Sequence, residues 1–290
     1  MTEGGPFGAG ALAEAHKHCA SLAREHARDQ WLASLYASSG AHDGLMALAC
    51  FDYEIRQALR RAHDPNLAAI RLAWWRDIVR GERDAEAAGS PVALALCSAI
   101  DAFALARDRL EAMLDARLQE IAPQDDFNLT AFEAYAGESE GARLRLASQI
   151  AAGGQDLDQA GAHEPAGVAL ALTRVLQELP FKAGSAPTLI PADVAARHGA
   201  STADFDVCHV SAGVVAACAD LRGLARDKVA EAERRLRNSD SAILPAFIPL
   251  APLRLDLDRL DRNSGRPFDA VGEVSALRRQ WATWRWARAW

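Results

Sequence analysis

Along most of the chain, apolar residues return on one side of a helical repeat, and runs of β-branched residues are rare. Alanine, leucine and arginine dominate, and the pattern predicts helix almost throughout. "ALAEAHKHCASLAREHARDQWLASLYA" is read as one helix to about Ala37, followed by a turn at "SSGAHDG". "LMALACFDYEIRQALRR" carries little charge in its first half, so that half is expected inside. "AHDPNLAAIRLAWWRDIVRGE" opens on an Asp64 cap with Pro65 in the first turn. Its Leu67, Ile70, Leu72, Trp74 and Trp75 make a wide apolar face. Residues 91–106 and 105–121 read as two helices or one long element. "APQDDFNL" is a loop that caps "TAFEAYAGESEGARLRLASQIAAGG". "HEPAGVALALTRVLQEL" is expected to stop before Pro180, since proline lacks an N–H and clashes with the preceding turn. "STADFDVC" caps a further helix, and "VSAGVVAACADLRGLARDKVAEAERRLRNS" is a long one that opens apolar and ends charged. A proline-interrupted apolar stretch, "SAILPAFIPLAPLRLDLDRLDRNSG", leads to a last helix over about 271–290. No linker of glycine, serine and proline divides the chain. One all-α domain over 1–290, with a flexible start at 1–10, is therefore expected.

Composition narrows the function classes. The chain has 290 residues, enough for a sizeable core, and its 50% hydrophobic and 24% charged content suits a soluble globular protein. A net charge of -7 argues against a generally basic nucleic-acid binder, so no nucleic-acid partner is expected. Cys19, Cys50, Cys97, Cys208 and Cys218 are scattered without CxxC spacing, which suits reduced thiols packed as small hydrophobes. No apolar run reaches the roughly 18 residues of a spanning helix. "MTEGGPFGAG" lacks both a secretory signal and a transit pattern. The expected location is cytoplasmic, with peripheral contact at the inner face of the membrane left open.

The segments "CASLAREHARDQWLASLYA", "LMALACFDYEI", "IRLAWWRDIVRGE", "LIPADVAARHGAS" and "LRRQWATWRWARAW" together resemble the squalene/phytoene synthase family, from about Cys19 to the end. The resemblance implies an isoprenoid-synthase-type helical bundle around a central cavity. In that family, two acidic motifs on facing helices bind magnesium and, through it, diphosphate. The first, of DDxxD type, would fall on Tyr53, Glu54, Ile55, Arg56 and Gln57, where only Glu54 is acidic. Asp52 stands one residue away, about 100° around a helix. The second, DxxED, would fall on Glu178, Leu179, Pro180, Phe181 and Lys182, where only Glu178 is acidic. Magnesium takes octahedral oxygen ligands, and one carboxylate per side is a poor site for it. "LTRVLQELPFKAGSAPTLIPADVAARHGASTADF" is similar to the synthase-like assembly factors of respiratory complex I.

These resemblances imply a catalytically degenerate protein that acts by binding, with no metal and no cofactor. Its partner would be a prenyl lipid or diphosphate, a membrane surface, or a respiratory-complex subunit. The alternative is an active magnesium-dependent prenyltransferase in which Glu54 and Glu178 are catalytic. Candidate ligand residues are Tyr53, Glu54, Arg56, Gln57, Trp75, Arg174, Glu178 and Lys182. Arg174, Glu178 and Lys182 stand at i, i+4 and i+8, so a salt-bridged helix end is the plainer reading of that row. Trp74 and Trp75 point about 100° apart, so at most one of them lines any given cavity. His198, followed by Gly199, reads as a helix end rather than a catalytic group. In the last helix, Val274, Leu277, Trp281 and Trp284 form the stripe expected to seat it on the body. Arg279, Trp286 and Trp290 then form an outward face for a membrane or partner.

Overall fold

Short capping residues start the helices where the pattern asks for them. Ser90 accepts the amide of Ala93 ahead of Pro91, and Asn128 accepts that of Ala131 at 2.9 Å. The computed structural model describes residues 8–61, 65–121, 127–157, 160–182 and 187–290. The expected Asp64 cap, most of the flexible start and most of the "APQDDFNL" loop lie outside them.

Every regular element among the described residues is helical. The first expected helix is two, α1 (Ala9–His26) and α2 (Arg28–Ser34), because Ala27 leaves helical geometry. Helix α3 (Ser39–Arg61) begins inside the expected turn and is buried continuously from residue 45 to residue 52, as its apolar first half requires. Next come α4 (Pro65–Arg80) and the short α5 (Asp84–Gly89), then α6 (Pro91–Phe103) and α7 (Arg107–Gln119). The last two are separate because Ala104 turns left-handed at φ 50°, a conformation that costs a non-glycine residue about 1–2 kcal/mol.

Helices α8 (Leu129–Ala136) and α9 (Ala142–Ala151) are joined by one π turn, Gly137–Gly141. Helix α10 (His163–Lys182) crosses this turn at Gly167, where a Cβ would stand 2.6 Å from the amide nitrogen of Gly141. Two glycines thus let the backbones touch. Helix α10 also runs through Pro180 rather than stopping before it. The proline lies in the last turn, where only one main-chain hydrogen bond is lost and three residues suffice to end the helix.

The short α11 (Ala192–Arg197) is closed by His198, whose Nε2 lies 3.1 Å from Asp220 Oδ2, and by Gly199 at φ 73°. Then come α12 (Thr202–Asp206), with a Ser201–Asp204 capping box, and the long α13 (Ala212–Leu236). Helices α14 (Leu244–Phe247), α15 (Leu250–Arg262) and α16 (Ala276–Ala289) complete the chain.

The core has two apolar clusters. One gathers residues of α1, α3, α6 and α9 with Phe247. The other gathers residues of α8, α10, α11 and α13 with Leu257. Helix α7 belongs to both: Leu110, Met113 and Leu114 to the first, Ala116 to the second. Arg117 follows at that seam, with none of its side chain exposed. Trp75 packs edge-on against Phe51 and Trp74 in the first cluster, so the structure makes it core rather than cavity lining.

Candidate functional site

Asp52, Arg56 and Arg60 recur every four residues on α3 and share one face. Asp52, buried, accepts from Arg56 at 2.7 Å and from Arg117 of α7 at 3.0 Å. Arg117 also reaches Glu120 at 2.7 Å, the hydroxyl of Tyr135 at 3.1 Å and Glu140 at 3.4 Å. Glu140 lies in the π turn and accepts from Arg143 at 2.9 Å. From α10, Arg174 reaches Glu120 at 3.3 Å and Tyr135, and Tyr135 donates to Glu120 at 2.6 Å. Glu178 is paired with Arg60 across the helices, with Arg174 at 4.0 Å and with Lys182 at 3.7 Å. Lys182 also approaches Glu120 at 3.7 Å. The network comprises four carboxylates, Asp52, Glu120, Glu140 and Glu178, and six cations, Arg56, Arg60, Arg117, Arg143, Arg174 and Lys182.

Burial would raise the carboxyl pKa values, but the cations win. Arg174 and Arg117 hold Glu120 well below the usual range, and Arg143 and Arg117 do the same for Glu140. Glu178 is lowered against its own burial by Arg174, Lys182 and Arg60. Tyr135 is raised, first by burial, and stays a phenol that donates to Glu120. Beside Arg143 lies a cavity of about 20 Å³, space for about one water molecule. At the seam, charged side chains fill the interior of the bundle.

A model of the squalene/phytoene synthase family matches residues 23–285. The chain belongs to that family. Among curated proteins, it is similar to the Mus musculus NADH dehydrogenase (ubiquinone) complex I, assembly factor 6, at 23% identity over 247 residues, 85% of this chain and 74% of that protein. The Homo sapiens protein of the same name is 25% identical over 198 residues, 68% of this chain and 59% of its own length. Among solved structures, a dehydrosqualene synthase in complex with ligand superposes with a TM-score of 0.79 at 14% identity, covering 96% of this chain and 98% of that one. Squalene synthase HpnC from Alicyclobacillus acidocaldarius gives 0.70 at 16%, covering 89% and 97%. These likenesses establish the isoprenoid-synthase fold.

The family implies magnesium between two acidic faces, and this member's residues do not fit it. Magnesium needs oxygen donors with room for water and phosphate. Glu178 is instead surrounded by Arg60, Arg174 and Lys182. Glu54, the only carboxylate within 53–57, points another way. It and Tyr53 lie on the α1 side of α3: Tyr53 stacks on His26 with ring centroids 4.6 Å apart, and Cys50, one turn before Glu54, donates to the carbonyl of Cys19 at 3.2 Å. The thiol of Cys50 is raised, first by the Cys19 contact and burial, with the charge of Glu54 adding to both. Gln57 is half-buried outside the network. Of the sequence candidates, Arg56, Arg174, Glu178 and Lys182 come together, while Tyr53, Glu54, Gln57 and Trp75 do not. Arg60, Arg117, Glu120, Tyr135, Glu140 and Arg143 are absent from the expectation, and Asp52 enters it only as a residue off the motif. The available signal was the density of charge in "LDARLQE" and "AGESEGARLRLAS", two otherwise apolar helical stretches.

The C-terminal helix sits the other way round from the expectation. Arg279, Thr283, Trp286 and Trp290 face the body. Arg279 donates to Asp29 of α2 at 2.7 Å and to Asp256 of α15 at 2.5 Å, while Trp286 donates to Glu233 at 3.2 Å. Leu277, Trp281 and Trp284 are exposed. Val274 is buried but precedes the helix. The Val274–Trp284 stripe is expected inside because its apolar residues fall within one arc. The other stripe is seated instead: the body offers three carboxylates to Arg279 and Trp286, and apolar surface to Trp286 and Trp290. Among the described residues, no helix is long and apolar enough to cross a membrane.

Proposed function

We propose that this family member does not condense prenyl diphosphates and acts by binding, as an assembly factor for respiratory complex I. The observation that carries the reading is the ion-pair network. Where the synthases need carboxylate pairs facing each other across α3 and α10, this chain sets Arg56 and Arg60 against Glu178 and Lys182. The names of its curated relatives support the assembly role. The test has two arms. Purified protein with farnesyl or geranylgeranyl diphosphate and magnesium should release no pyrophosphate. Cells lacking the gene should lose NADH:ubiquinone oxidoreductase activity in isolated membranes and regain it with the wild-type gene. Magnesium-dependent pyrophosphate release that Glu54→Ala or Glu178→Ala abolishes would favour the transferase reading.

A second reading, binding of a prenyl diphosphate or other anionic prenyl lipid without metal, is favoured by the excess of cations at the network's edge. Arg60 is more than half exposed there and Lys182 partly so. A guanidinium or ammonium can contact phosphate directly. Calorimetry should then show binding that survives a chelator and weakens in Lys182→Glu; a strict need for magnesium would contradict it.

A further inference from the structure

The outward face of α16 is unusual for an acidic protein. At about 100° per residue, Leu277, Trp281 and Trp284 fall within an arc of about 60°, opposite the seated arc of Arg279, Thr283, Trp286 and Trp290. Leu277 is 77% exposed, Trp281 59% and Trp284 41%, so the stripe stands in solvent. The rings of Trp281 and Trp284 stack 4.9 Å apart, and Arg288 lies over Trp284 at 4.9 Å. Arg278 and Arg285 flank the stripe on one side, within about 100° of Leu277.

On that side a groove of about 680 Å³ runs between α16, α15 and the end of α13. Arg237, Arg254, Arg278 and Arg285 line it, against one acidic residue, Glu233. Glu233 is already engaged by Arg254 at 2.5 Å and by Trp286 at 3.2 Å. Arg237 lies over the ring of Trp290 at 5.6 Å. Among the described residues, no carboxylate pairs with Arg278, Arg285 or Arg288. A chain of net charge -7 has thus gathered unpaired arginines around exposed tryptophans.

We propose that this face docks on an anionic lipid bilayer, with α16 lying in the interface plane. Charge complementarity selects an anionic surface, and the aromatic stripe selects one with an apolar layer beneath its headgroups. Tryptophan favours the boundary between headgroup and acyl chain, and arginines beside it meet anionic headgroups. Fourteen residues of helix span about 21 Å, too short to cross a bilayer but long enough to lie along one. The proposal does not depend on whether the protein retains catalysis.

Full-length protein should co-sediment with phosphatidylcholine vesicles containing a quarter phosphatidylglycerol, and not with phosphatidylcholine alone. Raising the salt should release it. Trp281→Ser with Trp284→Ser, and separately Arg278→Glu with Arg285→Glu, should each lower the bound fraction about tenfold or more while leaving Tm unchanged. If a variant proves unstable, tryptophan quenching by brominated lipids in the wild type decides instead, and Trp281→Phe with Trp284→Phe should remove most of it. Failure of the wild type to bind the anionic vesicles overturns the proposal. So does undiminished binding by the folded variants, or recruitment by an acidic peptide but not by vesicles.

Discussion

Two ion clusters in this protein are built from the same groups with opposite balance. At the seam between the apolar clusters, six cations face four carboxylates, and the carboxyls of Glu120, Glu140 and Glu178 are held below their ordinary pKa. Under α16, the single Arg279 serves both Asp29 and Asp256. There burial outweighs the arginine: Asp29 is pushed up to about 6 and Asp256 is also raised. The shifts are opposite because the cation-to-carboxylate ratio differs, six to four at the seam against one to two under α16. The seam is an arrangement in which ionised carboxylates stabilise the fold. The α16 seat is one in which they cost something near neutral pH.

The largest expected effect tests the seam. Arg117→Met removes the one cation that pairs with all three of Asp52, Glu120 and Glu140 and should cost about 3–5 kcal/mol in urea unfolding. A loss below about 1 kcal/mol would mean that the remaining five cations suffice. Arg279→Gln should cost less, about 1.5–3 kcal/mol at pH 7.5, because fewer bonds are lost and both carboxyls are easier to protonate. That cost should shrink at pH 5, while the Arg117→Met cost should not.

Acid titration separates the clusters by sign. Glu120, Glu140 and Glu178 have lowered pKa values in the folded state, so their stabilisation is present above about pH 4.5 and is lost as pH falls below it. Asp29 is raised, so its contribution is present below its unfolded value of 3.8 and is lost as pH rises through about 6. Unfolding followed from pH 3 to 8 should show both limbs, and Asp29→Asn should flatten the slope between about pH 4 and 6 alone. The smallest effect belongs to Glu54. Because it lies outside both clusters, Glu54→Ala should change stability by no more than about 0.5 kcal/mol. A cost comparable with that of Glu178→Gln would place Glu54 in an interaction that the α1 side does not explain.

Local chemistry determined much of this protein. Helix propensity, the Ser90–Pro91 start and the His198–Gly199 stop act over a few residues, so they are readable wherever they occur. The lack of a carboxylate pair at 178–182 is equally local, and it holds whatever the helices do. The family resemblance rested on such segments and located the fold. Tertiary structure decided what pairs with what. Asp52 was set aside because it lies off the motif, yet its partner Arg117 is 65 residues away and its value depends on α3, α7 and the π turn meeting. Helix α16 carries two opposed stripes, and its own sequence favours burying Leu277, Trp281 and Trp284. Asp29, Glu233 and Asp256, on three other helices, reverse that choice. Pairing of buried charge is set by distance between elements, and a helical pattern records only the angle around its own axis.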